Sequence, residues 1–157
     1  MSIILRAATA ADQPTIMRLV RAARLNPMRL HWVNFVVAED LLTHGVVGVG
    51  QLRPHGHDLE LASLVVMEGL RGRGIGTALV RTLISRASGP LYLMCEGRLA
   101  AYYRRFGFTE LTQATAVPPG LRPAYLTGRL LGPLMTRLHD TPVRLAVMAH
   151  PGAAPFG

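Results

Sequence analysis

A glycine-rich turn at residues 71–77, R-G-R-G-I-G-T, is the part of the chain best suited to bind an anion. Glycines let the backbone approach a ligand closely, and the first N–H groups of a helix have no partner inside that helix. These donors and the positive end of the helix dipole favour a phosphate, and Arg71 and Arg73 add positive charge. The turn therefore predicts a phosphate site.

The residues on either side of the turn predict the strand and the helix that such a site needs. Residues 61–66 are short and apolar, as in a buried strand. After the turn, apolar residues recur at helical spacing; they are Ile75, Ala78, Leu79, Val80, Leu83 and Ile84. The helix should end before the Ser-Gly-Pro sequence at residues 88–90.

Two common phosphate-binding motifs do not fit this turn. A Walker loop closes on a Lys-Ser/Thr pair, and the chain contains no lysine. The dinucleotide motif is G-x-G-x-x-G, whereas the spacing here is G-x-G-x-G.

A second motif lies downstream, at residues 101–108, with the sequence A-Y-Y-R-R-F-G-F. It resembles the Y-x-x-x-G-F segment of the GNAT acyltransferases. The turn at residues 71–77 resembles the R-G-x-G-[IL]-G turn of the same family, whose backbone amides hold the pyrophosphate of acetyl-coenzyme A. The resemblance covers roughly residues 3–111.

This resemblance implies an α/β (α+β) architecture, the GNAT acyl-CoA N-acyltransferase fold. Its mixed, mostly antiparallel sheet is flanked by helices, with strands four and five parallel and splayed. We expect a single GNAT domain over residues 1–150 and a disordered tail over residues 151–157.

The resemblance also implies which residues contact the coenzyme. In the family the pantetheine arm lies between strands four and five and pairs with the backbone of strand four. The expected coenzyme-binding residues are Leu64, Val65, Val66, Arg71, Gly72, Arg73, Gly74, Ile75, Gly76, Thr77, Glu96 and Tyr103. At the position of Glu96 many relatives carry an asparagine, so this acid departs from the family pattern.

Two residues are candidates for catalysis by the same resemblance. Tyr103 matches the family tyrosine that protonates the coenzyme thiolate, with Tyr102 as the fallback and a plain core tyrosine as the alternative. Glu60 stands four residues before Leu64, where the histone-acetylating branch carries its general base. A solvated strand-edge glutamate, Glu96 as the base, and a water chain are the alternatives.

A nucleophilic cysteine and a metal site are two further possibilities that the sequence does not favour. Cys95 has no His or Lys near it in sequence, so a small buried hydrophobe is the better interpretation. The H-G-H-D sequence at residues 55–58 lacks the further ligands of a structural zinc site, so a turn is expected there and no metal.

The apolar pattern of the rest of the chain predicts further strands and helices. Strands are predicted at residues 3–7, 35–39, 46–52, 91–95, 108–111 and 143–148. Helices are predicted from Thr9 to about residue 26, and at residues 99–105. Leucines suggest another helix before the last strand: Leu126, Leu130, Leu131, Leu134 and Leu138. Trp32 is either a pocket-lining residue or a buried anchor.

Composition limits the compartment and the partners. The single cysteine excludes an intrachain disulfide, and the start of the chain has no signal-peptide pattern, so we expect a cytoplasmic protein. The net charge of +8 comes with 17 arginines spread along the chain and few aromatics, which favours an ordinary Arg-rich surface over nucleic-acid binding. No apolar run reaches membrane-spanning length.

The resemblance to the GNAT acyltransferases implies an N-acetyltransferase that moves an acetyl group from acetyl-CoA to a primary amine by direct attack in a ternary complex. The acceptor is expected to be a small-molecule or peptide amine, and the protein a monomer or homodimer. The alternative is a non-catalytic acyl-CoA-binding protein with the same fold.

Overall fold

The computed structural model describes residues 2–127 and 144–152. The strands within this part are β1 (Ile3–Ala7), β2 (Phe35–Asp40), β3 (Gly45–His55), β4 (Asp58–Val66), β5 (Leu91–Glu96), β6 (Thr109–Glu110) and β7 (Leu145–His150). The helices are α1 (Gln13–Ala22), α2 (Ile75–Arg86) and α3 (Ala100–Arg104), with a further helical stretch over residues 122–127. Among these residues, no helix is long and apolar enough to cross a membrane.

The strands form one mixed sheet of seven within the described residues, in the order β1-β2-β3-β4-β5-β7-β6. β4 and β5 run parallel, with Leu59 opposite Leu91 and Glu60 opposite Tyr92, whereas β7 pairs antiparallel with both β5 and β6. The predicted mixed sheet with parallel fourth and fifth strands is therefore confirmed. The splaying of these two strands stays a prediction.

The chain divides into two compact units. The first comprises Met1–Arg53 and Leu61–Ala87, and the second comprises Pro54–Glu60 and Ser88–Gly157. In the first unit, buried apolar residues of α1 pack against the sheet; the cluster is Ala8, Ile16, Leu19, Val20, Leu30, Phe35, Val37, Val49 and Val65. The prediction of a single domain over residues 1–150 stays a prediction.

The core of the second unit includes residues from the segment between β6 and β7. Val117, Leu121 and Val147 are buried there, and the half-buried side chains packed against them are Tyr92, Met94, Leu111 and Tyr125. The helix predicted from the leucine pattern is seen over residues 122–127 only. Its other leucines, from Leu130 onward, and the predicted tail beyond residue 152 lie outside the described residues.

Helix α1 ends earlier than the sequence predicts. Arg24 has a φ of 55°, and the N–H of Leu25 donates to the carbonyl of Val20 at 3.1 Å. This is the bonding pattern of a Schellman cap, formed with arginine where glycine is usual. The loop that follows is held by Gln13, whose side chain bonds the carbonyl of Leu30 and the N–H of Trp32.

The β3–β4 hairpin is tighter than predicted. Both strands extend toward each other, to His55 and from Asp58, so only Gly56 and His57 form the turn. Glu60 therefore lies inside β4 rather than at its start. The turn places His55 and Glu60 within contact distance.

Two glycines of β3 let α2 lie close to the sheet. A Cβ added at Gly50 would come within 2.8 Å of Leu83 Cδ1, and one added at Gly48 within 3.2 Å of Ile75 Cγ2. Ile75 and Leu83 are both buried residues of α2. The first turn of α2 is thereby held against the sheet face, next to the glycine-rich turn.

Candidate active site

The glycine-rich turn adopts the backbone conformation that its glycines predict. Gly72 and Gly74 have φ values of 77° and 82°, in the left-handed region that favours glycine. Gly74 is the N-cap of α2, and its carbonyl accepts the first helical bond from Ala78 at 3.0 Å. A glycine N-cap has no side chain to bond the N–H groups of the first helical turn.

The space above this turn is open to a ligand. A Cβ added at Gly72 or Gly74 would meet no heavy atom within 4 Å among the described residues. Both glycines are exposed, as are Arg71 and Arg73. Arg71 is anchored, since its Nε donates to the carbonyl of Val66 at 3.2 Å. The turn thus presents backbone donors, a helix N-terminus and two cations to solvent.

The strand that leads into the turn carries the backbone groups predicted to meet pantetheine. Leu64, Val65 and Val66 form the end of β4, directly after Ser63, whose φ is 52°. A left-handed serine inside a strand bends the chain locally. Contact between these three residues and a coenzyme stays a prediction.

Glu60 is buried and paired with a histidine. Its exposed fraction is only 4%, and its Oε2 lies 2.7 Å from His55 Nε2. The side chain of His55 is also buried, at 8% exposure. This pairing replaces the expectation of a solvated edge glutamate with a buried carboxylate–imidazole pair, because β4 begins at Asp58 and takes Glu60 into the sheet.

Glu96 lies at the end of β5 in a different environment. Its side chain is 45% exposed and forms an ion pair with Arg98. Its expected role as a pantetheine contact stays a prediction. Within residues 2–127 and 144–152, no group of three or more His, Cys, Asp or Glu side chains could hold a metal ion.

Tyr103 is the buried residue of the Y-x-x-x-G-F segment. It lies on α3 with 8% exposure, and its ring meets Phe108 edge-on at 6.0 Å between centroids. Gly107, with a φ of 91°, ends the helix and turns the chain so that Phe108 enters the core. A Cβ at Gly107 would come within 3.1 Å of His150 Nε2, so the glycine also serves close packing.

Burial is the main cause of the raised pKa values of Tyr103 and Cys95. Burial raises the pKa of the Tyr103 phenol well above its usual range, with a smaller contribution from Cys95. Burial also raises the pKa of the Cys95 thiol, to about 11, helped by the negative charge of Glu110. Both groups keep their protons at neutral pH, which fits Cys95 as an inert thiol.

Tyr102 and Trp32 are the two aromatic alternatives from the sequence. Tyr102 is half-buried, with the Arg105 guanidinium 4.8 Å from its ring centroid. Trp32 is also half-buried and packs against the core of the first unit, as expected of an anchor. A role of Trp32 in lining an acceptor pocket stays a prediction.

Sequence reasoning missed three contributors to these features. His55 was interpreted as part of a turn, although its spacing of five residues from Glu60 across a two-residue hairpin is a usable signal. The alternating glycines at residues 48 and 50 also indicate a close helix–strand approach. The contact of Gln51 with Ser63 leaves no signal, because the register between β3 and β4 sets it.

The model of the acetyltransferase (GNAT) domain matches residues 31–110, which is half of the chain and includes β2 to β6 with the glycine-rich turn. The chain belongs to the GNAT acetyltransferase family. No curated protein matches the sequence.

Solved structures share the GNAT fold at low sequence identity. N-acetylglutamate synthase from Neisseria gonorrhoeae, complexed with coenzyme A and N-acetyl-glutamate, aligns over 98% of this chain with a TM-score of 0.76 and 16% identity. This chain spans only 36% of that protein. Phosphinothricin acetyltransferase from Sinorhizobium meliloti, in complex with acetyl-CoA, aligns over 98% of this chain and 90% of its own, with a TM-score of 0.67 and 20% identity.

A third relative is closer to this chain in length. Rv2747 from Mycobacterium tuberculosis, in complex with CoA, aligns over 96% of this chain and 99% of its own, with a TM-score of 0.71 and 22% identity. At such identities the likeness shows the fold alone.

Proposed function

We propose that this GNAT protein transfers an acetyl group from acetyl-CoA to a primary amine, by direct attack of the amine in a ternary complex. The observation that carries the proposal is the open turn at residues 72–74, where backbone donors and two arginines surround space that no described side chain fills. A coenzyme pyrophosphate fits that chemistry. The acetyl-CoA bound to the Sinorhizobium enzyme of the same fold supports the choice of ligand.

The thioester would be held by backbone rather than by side chains. The pantetheine amides pair with Leu64, Val65 and Val66 in this proposal, and one N–H of β4 polarises the acetyl carbonyl. No side-chain nucleophile is needed, and the protonated Cys95 is unsuited to be one.

Glu60 is the proposed general base. The acceptor ammonium gives a proton to the Glu60 carboxylate, and the free amine attacks the acetyl carbon to form a C–N bond. The His55 imidazole, whose Nε2 lies 2.7 Å from Glu60 Oε2, holds the side chain of Glu60 in place.

Tyr103 is the proposed general acid. As the C–S bond breaks, its phenol gives a proton to the coenzyme sulfur, so that free thiol leaves rather than thiolate. The raised pKa of Tyr103 keeps the phenol protonated at the start of the reaction. The nitrogen loses its second proton as it becomes an amide, and that proton restores the Tyr103 phenol, while Glu60 returns its proton to solvent.

Substitution in the glycine-rich turn tests the ligand assignment. Gly74→Val puts a branched side chain into the open space above the turn, and we expect calorimetry to show no binding of acetyl-CoA. Arg73→Ala, which removes an exposed cation but leaves the backbone donors, should weaken binding by about tenfold or less. Wild-type affinity of a folded Gly74→Val protein would contradict a pyrophosphate site here.

Turnover separates an enzyme from a coenzyme-binding module. A panel of amino acids, polyamines, peptides and aminoglycosides is scored by free thiol released from acetyl-CoA. Amine-dependent thiol release supports the proposal. Tight coenzyme binding without release by any amine would favour the non-catalytic alternative.

A further inference from the structure

Ser63 adopts an unusual backbone conformation in β4. Its φ of 52° lies in the left-handed region, although serine carries a Cβ and the surrounding residues are extended. Such a conformation is unfavourable for a non-glycine residue and persists only where other contacts impose it. The residue directly precedes Leu64, the first of the three backbone groups assigned to pantetheine.

Two residues of β3 donate hydrogen bonds to the side chain of Ser63. The Oγ of Ser63 accepts a hydrogen bond from Gln51 Nε2 at 2.9 Å and one from Arg53 Nη2 at 3.3 Å. Both donors are buried, with exposed fractions of 0% for Gln51 and 7% for Arg53. The serine hydroxyl is therefore fixed from two directions by rigid strand residues.

The arrangement buries a polar atom of Gln51 without a hydrogen-bond partner among the described residues, which costs stability. This cost indicates a role for Gln51 other than stability alone. Gln51 lies on the apolar face of β3 that also carries Val49 and faces Phe35 of β2 in register. Its Oε1 is buried, and no hydrogen-bond partner is found for it within residues 2–127 and 144–152. A leucine at this position would bury no unsatisfied polar atom.

We propose that Gln51, Arg53 and Ser63 form a clasp that holds the bend in β4 and so aims the backbone of residues 64–66 at the pantetheine arm. The three are positioning residues, acting through the backbone that follows Ser63. This inference rests on the proposed coenzyme site, and it adds residues that neither sequence motif contains.

Two substitutions of Ser63 separate the hydroxyl from the backbone conformation. Ser63→Ala removes the clasp but keeps a Cβ that disfavours a φ of 52°, so the bend should relax. We expect its Kd for acetyl-CoA to rise by about tenfold. This corresponds to the loss of roughly one charge-assisted hydrogen bond, the one from Arg53 that holds the bend. Ser63→Gly also lacks the hydroxyl but tolerates the left-handed conformation, and should stay within about threefold of wild type.

A ligand without the pantetheine arm is the matched control. Adenosine 3′,5′-bisphosphate keeps a 5′-phosphate for the glycine-rich turn but cannot pair with β4. Calorimetry should show unchanged affinity for it in both Ser63 variants. A purely structural role of the clasp would instead leave acetyl-CoA affinity unchanged in both variants, or lower affinity for the two ligands alike.

The outcomes also distinguish this inference from the proposed function. If the wild-type protein binds neither ligand, the coenzyme site fails and the clasp proposal fails with it. If the wild type binds acetyl-CoA and Ser63→Ala binds it as tightly, only the clasp proposal is overturned. Selective loss of acetyl-CoA affinity in Ser63→Ala, with recovery in Ser63→Gly, supports it.

Discussion

At the scale of single residues, the surroundings of Tyr103 determine the ionisation of its phenol. Burial among Phe108 and Tyr102 disfavours a phenolate and raises the pKa of the phenol. The adjacent Tyr102 is half-buried and packs with the exposed Arg105. Two neighbouring tyrosines on a five-residue helix therefore differ in their capacity to act as a buried proton donor.

Tyr103→Phe removes one oxygen and keeps the ring contacts with Phe108. We expect kcat to fall by about 10²–10⁴-fold, as for a positioned proton donor, with little change in calorimetric affinity for acetyl-CoA. Tyr102→Phe is the matched control and should keep kcat. The reverse pattern would mean that the register assigned to α3 is wrong, and no effect of either change would remove the tyrosine from the mechanism.

Glu60→Gln preserves the shape of the side chain but cannot accept a proton. We expect kcat to fall by about 10²-fold or more, while acetyl-CoA affinity and thermal unfolding stay close to wild type. Glu60→Asp retains a carboxylate near His55 and should recover part of the rate. Full activity of Glu60→Gln, or a larger loss in Glu96→Gln, would place the base elsewhere.

At the scale of elements, a charged network joins the start of α1 to the sheet. Arg6 of β1 donates to Asp12 Oδ2 at 2.7 Å and to Glu39 Oε2 of β2 at 2.5 Å. Asp12 also accepts the backbone N–H of Thr9 at 2.7 Å. These bonds, chiefly those from Arg6, lower the pKa of Asp12 to about 2.

This network predicts an acid-sensitive contribution to stability. Because the folded pKa of Asp12 lies below its unfolded value, the stabilisation is complete above about pH 4 and is lost as the pH falls toward 2. Asp12→Asn should lower the free energy of unfolding by about 2 kcal/mol at pH 7 and by less near pH 2. Urea unfolding at several pH values measures this, with the exposed Glu68→Gln as control. An equal loss at both pH extremes would contradict the assignment.

Elements were predictable from the sequence where local pattern decides them. The helix predicted after Thr9 and the glycine-rich turn before α2 depend on residues close in sequence, and the structure confirms both elements. The end of α1 was misjudged because Arg24 takes a conformation that sequence patterns reserve for glycine. The bend at Ser63 and the pairing of His55 with Glu60 arise from contacts across a hairpin, which no local pattern encodes.

At the scale of the whole molecule, the basic charge of +8 is carried by arginine alone. Coenzyme A is a polyanion, so a positive protein should accelerate its approach by long-range attraction. We expect the association rate for acetyl-CoA, measured by stopped flow, to fall by about tenfold between low and high ionic strength. The uncharged fragment S-acetylpantetheine should show no such dependence. An association rate for acetyl-CoA that does not change with ionic strength would contradict electrostatic steering.

The close approach of α2 to β3 has a consequence for how this chain can diverge in evolution. A Cβ at Gly50 would come within 2.8 Å of Leu83 Cδ1, whereas one at Gly48 would meet Ile75, Leu79 and the carbonyl oxygen of Val65, each at 3.2 Å. An exchange of Gly50 for a larger residue should therefore be accepted together with a smaller residue at position 83. We expect such a pair to covary among homologues. Substitutions in β3 would then be accompanied by substitutions in α2, the helix that begins at the glycine-rich turn.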